Sequence, residues 1–289
     1  MHFDATGKIS LDHIYTQPDP RPYFSTLREL DYCIPQLAKP YFKKIIHEYR
    51  ESQRNLAPNI LDIGCSYGIN AALLKCDMTM EELYERYCDL DAHTQTRGTL
   101  LTRDRELVRS RNHPTRTRFL GLDSSHPALS YALSAGFIDE AVHADLEEGD
   151  PTERQRQQFA GADLVISTGC LGYVSHRTIE RVVSANSDRR PWMAHFVLRM
   201  FPFEPVAESL AGLGYQTVHL ERAFKQRRFA SPQEQSLVLE TLRTVGVDPR
   251  GLETDGWLYA KLYISRPQGA RMSPSVDLAN LPELCAQDS

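Results

Sequence analysis

The sequence predicts an α/β protein built on a doubly wound, mostly parallel sheet, and three observations carry that prediction. The first is Asn59-Ile60-Leu61-Asp62-Ile63-Gly64-Cys65-Ser66-Tyr67-Gly68-Ile69-Asn70, where a short apolar run ends in an acid and two glycines. It leads straight into the helical pattern Ala71-Ala72-Leu73-Leu74. Strand, tight turn and helix in that order open a parallel α/β sheet. The second is that four more apolar runs follow, at 118–123, 140–146, 162–169 and 191–198, the first three with an acid or small polar residues at the end. The third is a closing pair of strand patterns, 215–220 and 257–264, expected to run antiparallel.

Composition bounds the function. The chain has 289 residues, 41% hydrophobic and 25% charged, an ordinary globular make-up with enough apolar mass for a core. Its length fits one large domain or one domain with additions. A net charge of -5 argues against a dedicated nucleic-acid binder. No apolar run approaches a membrane span, and Met1-His2-Phe3-Asp4 lacks the basic-then-apolar signature of a secretory signal. Cys33, Cys65, Cys76, Cys88, Cys170 and Cys285 are scattered without a CxxC pair, so neither a zinc site nor a disulfide framework is expected. The expectation is a cytoplasmic protein with reduced thiols, no metal, no nucleic-acid partner and no membrane; its oligomeric state is open.

Ahead of the sheet, residues 15–24 are punctuated by Pro18, Pro20 and Pro22, which break helix. Leu27, Leu30, Ile34, Leu37, Tyr41, Ile45 and Ile46 then recur at helical spacing, with Pro35 and Pro40 expected to mark turns. Two or three short helices are expected to pack on the sheet.

Motif spacing points to the ligand. A dinucleotide site reads G-x-G-x-x-G. Here the pattern is D-x-G-x-x-x-G, with Asp62 before Gly64 and Ser66 where a middle glycine would stand. Gly64 and Gly68 allow a sharp turn and close backbone approach to a ligand. An acid beside that turn suits a cationic amine and would be poor beside a phosphate. This stretch resembles motif I of the class I S-adenosylmethionine (SAM) methyltransferases. The resemblance covers about residues 55 to 266 and implies a Rossmann-like, seven-stranded methyltransferase sheet.

Further roles are what the resemblance implies. The turn residues Gly64, Cys65, Ser66 and Gly68 would pass the methionine part of SAM, with Asp62 near its amino group. Asp123, ending the second strand beside Ser124, would accept from the ribose hydroxyls; the gap from Asp62 exceeds the usual separation of about twenty. The insertion at 78–112 accounts for that excess. Asp145 and Leu146 would read the adenine edge, and Ser167-Thr168 would end the fourth strand as motif IV. Tyr173 follows, where an aromatic face can stabilise a cation. His176 is either a general base or simply the start of the helix 176–183. Tyr15 and Tyr23, with Phe24 and Tyr32, are either pocket walls or an aromatic cluster that docks helices.

The expected organisation is an N-terminal helical lid at 1–55, a SAM-binding domain at 56–266 and a loose tail at 267–289. The mixed charges of the helical insertion read as a solvated face more than a binding surface, and cover for the acceptor site and an oligomer contact both stay open for it. Residues 224–229 read as a basic loop, with Arg227 and Arg228 either binding an anionic group or simply surface arginines. The expected reaction is methyl transfer from SAM to a small-molecule acceptor, leaving S-adenosylhomocysteine, as in secondary metabolism. No Asn-Pro-Pro-Tyr-type sequence follows the fourth strand. The alternative is a rarer branch of the fold, an azetidine-2-carboxylate synthase that cyclises SAM and releases methylthioadenosine. A further alternative is a non-catalytic SAM-fold subunit that supports a partner.

Overall fold

The computed structural model describes residues 2–111, 117–185 and 189–270. The end of the expected tail, 271–289, lies outside the described residues. Three helices precede the sheet: α1 (Asp12–Tyr15), α2 (Arg21–Glu29) and α3 (Ile34–Gln53). α3 is longer than expected. Pro40 marks no turn but stands inside it. The helix survives because Ala38, Tyr41, Phe42, Ile45, Ile46 and Tyr49 bury one continuous face on the sheet.

The sheet begins with β1 (Asn59–Ile63) and α4 (Ile69–Lys75). The insertion follows as α5 (Met80–Cys88), α6 (Leu90–Thr94) and α7 (Arg97–Arg111). It is not only a solvated face. Asp104 is fully buried and accepts from Arg86 Nε (2.6 Å), Tyr87 Oη (2.7 Å) and Tyr131 Oη (2.6 Å). A buried carboxylate persists only when its oxygens are so satisfied. Phe24 of α2 stacks on Tyr87 at 4.7 Å, so the insertion braces the N-terminal helices.

The chain continues with β2 (Arg118–Asp123), α8 (His126–Ala135), β3 (Glu140–His143) and α9 (Glu153–Ala160). Next come β4 (Leu164–Thr168), α10 (His176–Ser184), β5 (Trp192–Leu198) and α11 (Glu204–Gly212). β6 (Tyr215–Arg228), α12 (Pro232–Thr244), a single 3₁₀ turn at Glu253–Asp255 and β7 (Trp257–Pro267) complete it. Residues 224–228 are therefore strand, not loop. Two register shifts against β7, at His219/Ala223 and Lys225/Arg227, let the long strand bend while staying paired.

Strand order is β3-β2-β1-β4-β5-β7-β6, with β7 antiparallel to both neighbours. β1 lies between β2 and β4, both parallel to it. Alternate residues face opposite layers. Ile60, Ile166, Ala194 and Phe196 pack with α3, α4 and α8, whereas Leu61, Ile63, Val165 and Met193 pack with α9, α10 and α11. The chain reverses direction of winding between β1 and β4, which opens a crevice at the strands' carboxyl ends.

Candidate active site

A cavity of about 720 Å³ occupies that crevice. Its edge is the turn after β1, which takes positive φ at Gly64 (68°), Ser66 (50°) and Gly68 (80°). Gly64 is required sterically as well: a Cβ there would stand 2.6 Å from Cys170 Cβ. The turn therefore sits directly against the loop after β4. The Ser66 N–H donates to Asp123 Oδ2 and the Ser125 N–H to Asp123 Oδ1, each at 2.8 Å. These bonds join the ends of β1 and β2 through one carboxylate. Burial raises the Asp123 pKa despite them.

Below the turn Asp62 is fully buried. Asn70 Nδ2 donates to Asp62 Oδ1 (3.0 Å) and to Thr168 Oγ1 (3.2 Å). Asp62 Oδ2, Asn70 Oδ1 and Ser66 Oγ are buried with no hydrogen-bond partner. Such orphaned atoms are costly and call for a ligand or water. Burial pushes the Asp62 carboxyl up to about 7. Ser167 Oγ pairs with His195 Nδ1 at 2.8 Å, and burial pushes that imidazole down to about 3, so it stays neutral. Cys170 is pushed up to about 12 by burial, which leaves it a thiol and no nucleophile.

Aromatic rings form another wall. Tyr15 and Tyr23 meet edge-on at 5.6 Å, and Tyr23 and Tyr32 at 6.5 Å. Ser125 Oγ donates to the Tyr15 carbonyl (2.5 Å), and Tyr67 Oη is 3.0 Å from the carbonyls of Ile14 and Gln17. Tyr84 Oη donates to the Tyr32 carbonyl at 2.6 Å, so the insertion holds this wall in place. Burial pushes Tyr15 up to about 12 and raises Tyr23 and Tyr32 as well, keeping all three phenols neutral.

Residues 2–12 supply a component that sequence reading missed. They form a strap across the cavity wall, seated on α12. Ile9 N–H donates to Glu234 Oε1 (2.9 Å), Thr241 Oγ1 to the Thr6 carbonyl (2.8 Å), and Gly7 lies against Leu237. Glu234, fully buried, also takes Arg227 in a two-pronged pair at 2.6 and 3.1 Å. Arg227 is thus not a surface arginine. Tyr173 Oη donates to Asp4 Oδ2 at 2.6 Å, and Lys8 Nζ stands 4.9 Å over the Tyr173 ring. Burial, and secondarily the Arg227 charge, lower Lys8 to about 8. The only local signal was turn chemistry at Asp4 and Gly7, which says nothing of where the turn docks.

Of the residues expected at a site, Gly64, Cys65, Ser66, Asp123 and Ser124 line the cavity. So do Asp145, Leu146, Thr168, Tyr173, Tyr15 and Tyr23. Asp145 and Leu146 stand just past β3, which ends at His143, three residues short of the expected strand end. Asp62, Gly68 and Ser167 lie behind the wall. His176 does not line it; it opens α10, capped by Ser175. Cavity residues not anticipated include Asp4, Lys8, Asn70, Glu147 and Gln226. Among the described residues no group of His, Cys, Asp or Glu is arranged to hold a metal ion, and no helix is long and apolar enough to cross a membrane.

The strand order is that of the class I methyltransferases. The likeness is one of fold. No family model matches the chain, and no curated protein matches it. Solved structures do. The 4+2 cyclase SpnF is 13% identical with a TM-score of 0.39 over 78% of this chain and 80% of that one. Magnesium protoporphyrin IX methyltransferase from Synechocystis PCC 6803, with bound SAM, is 11% identical with a TM-score of 0.35, over 79% of each chain. The plantazolicin methyltransferase BpumL in complex with SAH is 13% identical with a TM-score of 0.38, over 89% and 93%. At these values none of them carries a reaction over to this chain, so the functional reading rests on the site's own residues.

Proposed function

We propose that the chain is a SAM-dependent enzyme that transfers a methyl group to a small-molecule acceptor. The observation that carries this is the joined end of β1 and β2. Asp123 is fixed by two backbone N–H groups, its oxygens keep lone pairs for adjacent hydroxyls, and the orphaned Asp62 Oδ2 lies behind the same turn. The wall is acidic, with Asp4, Asp12, Asp123, Asp145 and Glu147 against Lys8 and Arg227. A cationic ligand with a ribose and an amine fits that donor set.

SAM would be held by Asp123 and Ser124, by Asp145 and Leu146, and by the 64–68 turn with Asp62; bound there it supplies an electrophilic methyl group. The protein's part is positioning. Glycine turn, Thr168 and the Tyr15–Tyr23–Tyr32 wall fix one partner, and the strap fixes the other. Holding two reactants in line supplies much of a transfer rate without a covalent step. The N-terminal region, 1–55, acts as a lid that excludes water, residues 56–266 form the SAM-binding domain, and the insertion at 78–112 braces the lid.

One observation favours a second reading. Tyr15, Tyr23 and Tyr32 line the cavity as neutral rings packed edge to face, and such an aromatic wall would hold a sulfonium folded on itself for cyclisation to azetidine-2-carboxylate. One experiment separates the two. The purified chain is incubated with SAM alone, then with SAM and a small-molecule extract, and the nucleoside product is identified. S-adenosylhomocysteine appearing only with extract is the expected result. Methylthioadenosine above the spontaneous background, without extract, supports cyclisation. Failure to bind SAM and S-adenosylhomocysteine would defeat both and favour a non-catalytic subunit.

A further inference from the structure

Lys8 and Arg227 are the lysine and arginine on the cavity wall, and they differ in one respect. Arg227 is fully committed, to both Glu234 oxygens and to the Arg228 carbonyl at 2.8 Å. Lys8 Nζ has no hydrogen bond and no ion pair among the described residues; it stands over the Tyr173 ring face, and the charges of Asp4, Glu234 and Asp12 act on it only from beyond contact. The nearby Asp4 does not answer it. Asp4 Oδ1 accepts from Thr6 N–H (2.8 Å), Thr6 Oγ1 (2.6 Å) and Lys8 N–H (3.1 Å), and Oδ2 accepts from Tyr173. An ammonium held on a cavity wall with no carboxylate in contact keeps its N–H groups for an anion that arrives with the ligand.

Building on the methyl-transfer reading, we infer that Lys8 binds a carboxylate on the second substrate, so that the acceptor is a small organic acid. Position argues for the acceptor over the cofactor. Lys8 belongs with the loop after β4 and with the β6–α12 corner, whereas the amino-acid part of SAM is assigned to the 64–68 turn. Tyr15 lines the same cavity and feels the charges of both Arg227 and Asp123. Charge argues for a carboxylate over a phosphate: one free ammonium matches one negative charge, and Arg227 is unavailable as a second cation. With its pKa lowered only to about 8, Lys8 remains mostly protonated at neutral pH.

The test titrates the full chain, with and without saturating S-adenosylhomocysteine, using matched probes: propionate against propionamide, and benzoate against benzamide. Binding is read from NMR shifts of the protein. The expected result is that at least one acid binds ten-fold or more tightly than its amide. That preference should vanish in Lys8→Met and survive in Lys8→Arg, with S-adenosylhomocysteine affinity unchanged in both. Lys8 makes no hydrogen bond through its side chain, so both variants should melt like the parent. Acids and amides binding alike, or not at all, overturns the inference. So does a Lys8→Met variant that loses S-adenosylhomocysteine but keeps methylthioadenosine, which would give Lys8 to the cofactor's own carboxylate. If the parent fails to bind S-adenosylhomocysteine, the methyl-transfer reading falls, while the acid preference of the ligand-free chain still reports on Lys8.

Discussion

Asp62 and Asn70 share a 3.0 Å hydrogen bond that leaves one oxygen on each without a partner. Both orphaned atoms lie behind the glycine turn, and burial has pushed the Asp62 carboxyl up to about 7 from 3.8. A cation placed beside Oδ2 favours the ionised form. SAM binding at pH 6.5 should therefore release a proton, and affinity should rise as pH climbs toward 7. Calorimetry in two buffers of different ionisation enthalpy measures that proton, and Asp62→Asn should abolish it. In the ligand-free chain the sign is opposite. The folded state holds a proton that the unfolded state gives up, so this stabilisation is complete below about pH 4 and is lost as pH rises through about 7.

Asp123→Ala should weaken SAM and S-adenosylhomocysteine together. Hydrogen bonds to a charged group contribute about 1.5–3 kcal/mol each, which is roughly tenfold or more in affinity. The Ser66 and Ser125 N–H groups also lose their acceptor, so the turn itself loosens. Unchanged affinity in a folded variant would remove Asp123 from the site.

Gly7 has φ of 84°, and a Cβ there would meet Leu237 Cβ at 2.4 Å. Gly7→Ala should unseat the strap from α12 and reduce turnover severalfold, and melting should fall as well, because the buried Glu234 then loses its Ile9 donor. A cut after Tyr23 is a harsher test, since it also strips Ile14 and Tyr23 from the core. Full activity in Gly7→Ala would show that the strap does not serve the reaction.

Tyr173 is half exposed, and the cation over its ring is Lys8. Tyr173→Phe keeps the ring and loses the Asp4 bond, a change of about 1 kcal/mol. Tyr173→Ala loses both. SAM turnover should fall modestly in the first and by about tenfold or more in the second. Equal losses would place the weight on the hydroxyl, and a wild-type rate in Tyr173→Ala would remove the residue from the site.

Elements whose signal is local were readable from sequence. β1, β2, β4 and β5 are short apolar runs, and Ser125 and Gly136 punctuate α8 at both ends. What was missed is non-local. Lys225, Arg227 and Arg228 interrupt the apolar pattern of β6, and nothing in the local sequence reveals that Glu234 neutralises Arg227 inside. α9 buries only Phe159, so it presents no apolar stripe to find. The strap reaches Glu234 across 225 positions, and turn chemistry at residues 4–7 carries no address.

Glu234 gives that address a physical meaning. Its two oxygens serve the strap through Ile9, the edge strand through Arg227 and the connecting turn through Ala230 N–H (2.7 Å). Lifting the strap leaves a buried carboxylate one donor short and slackens the grip on Arg227 in the same motion. Strap, edge strand and the first turn of α12 are thereby coupled through one carboxylate, and a change at any of the three is felt by the other two.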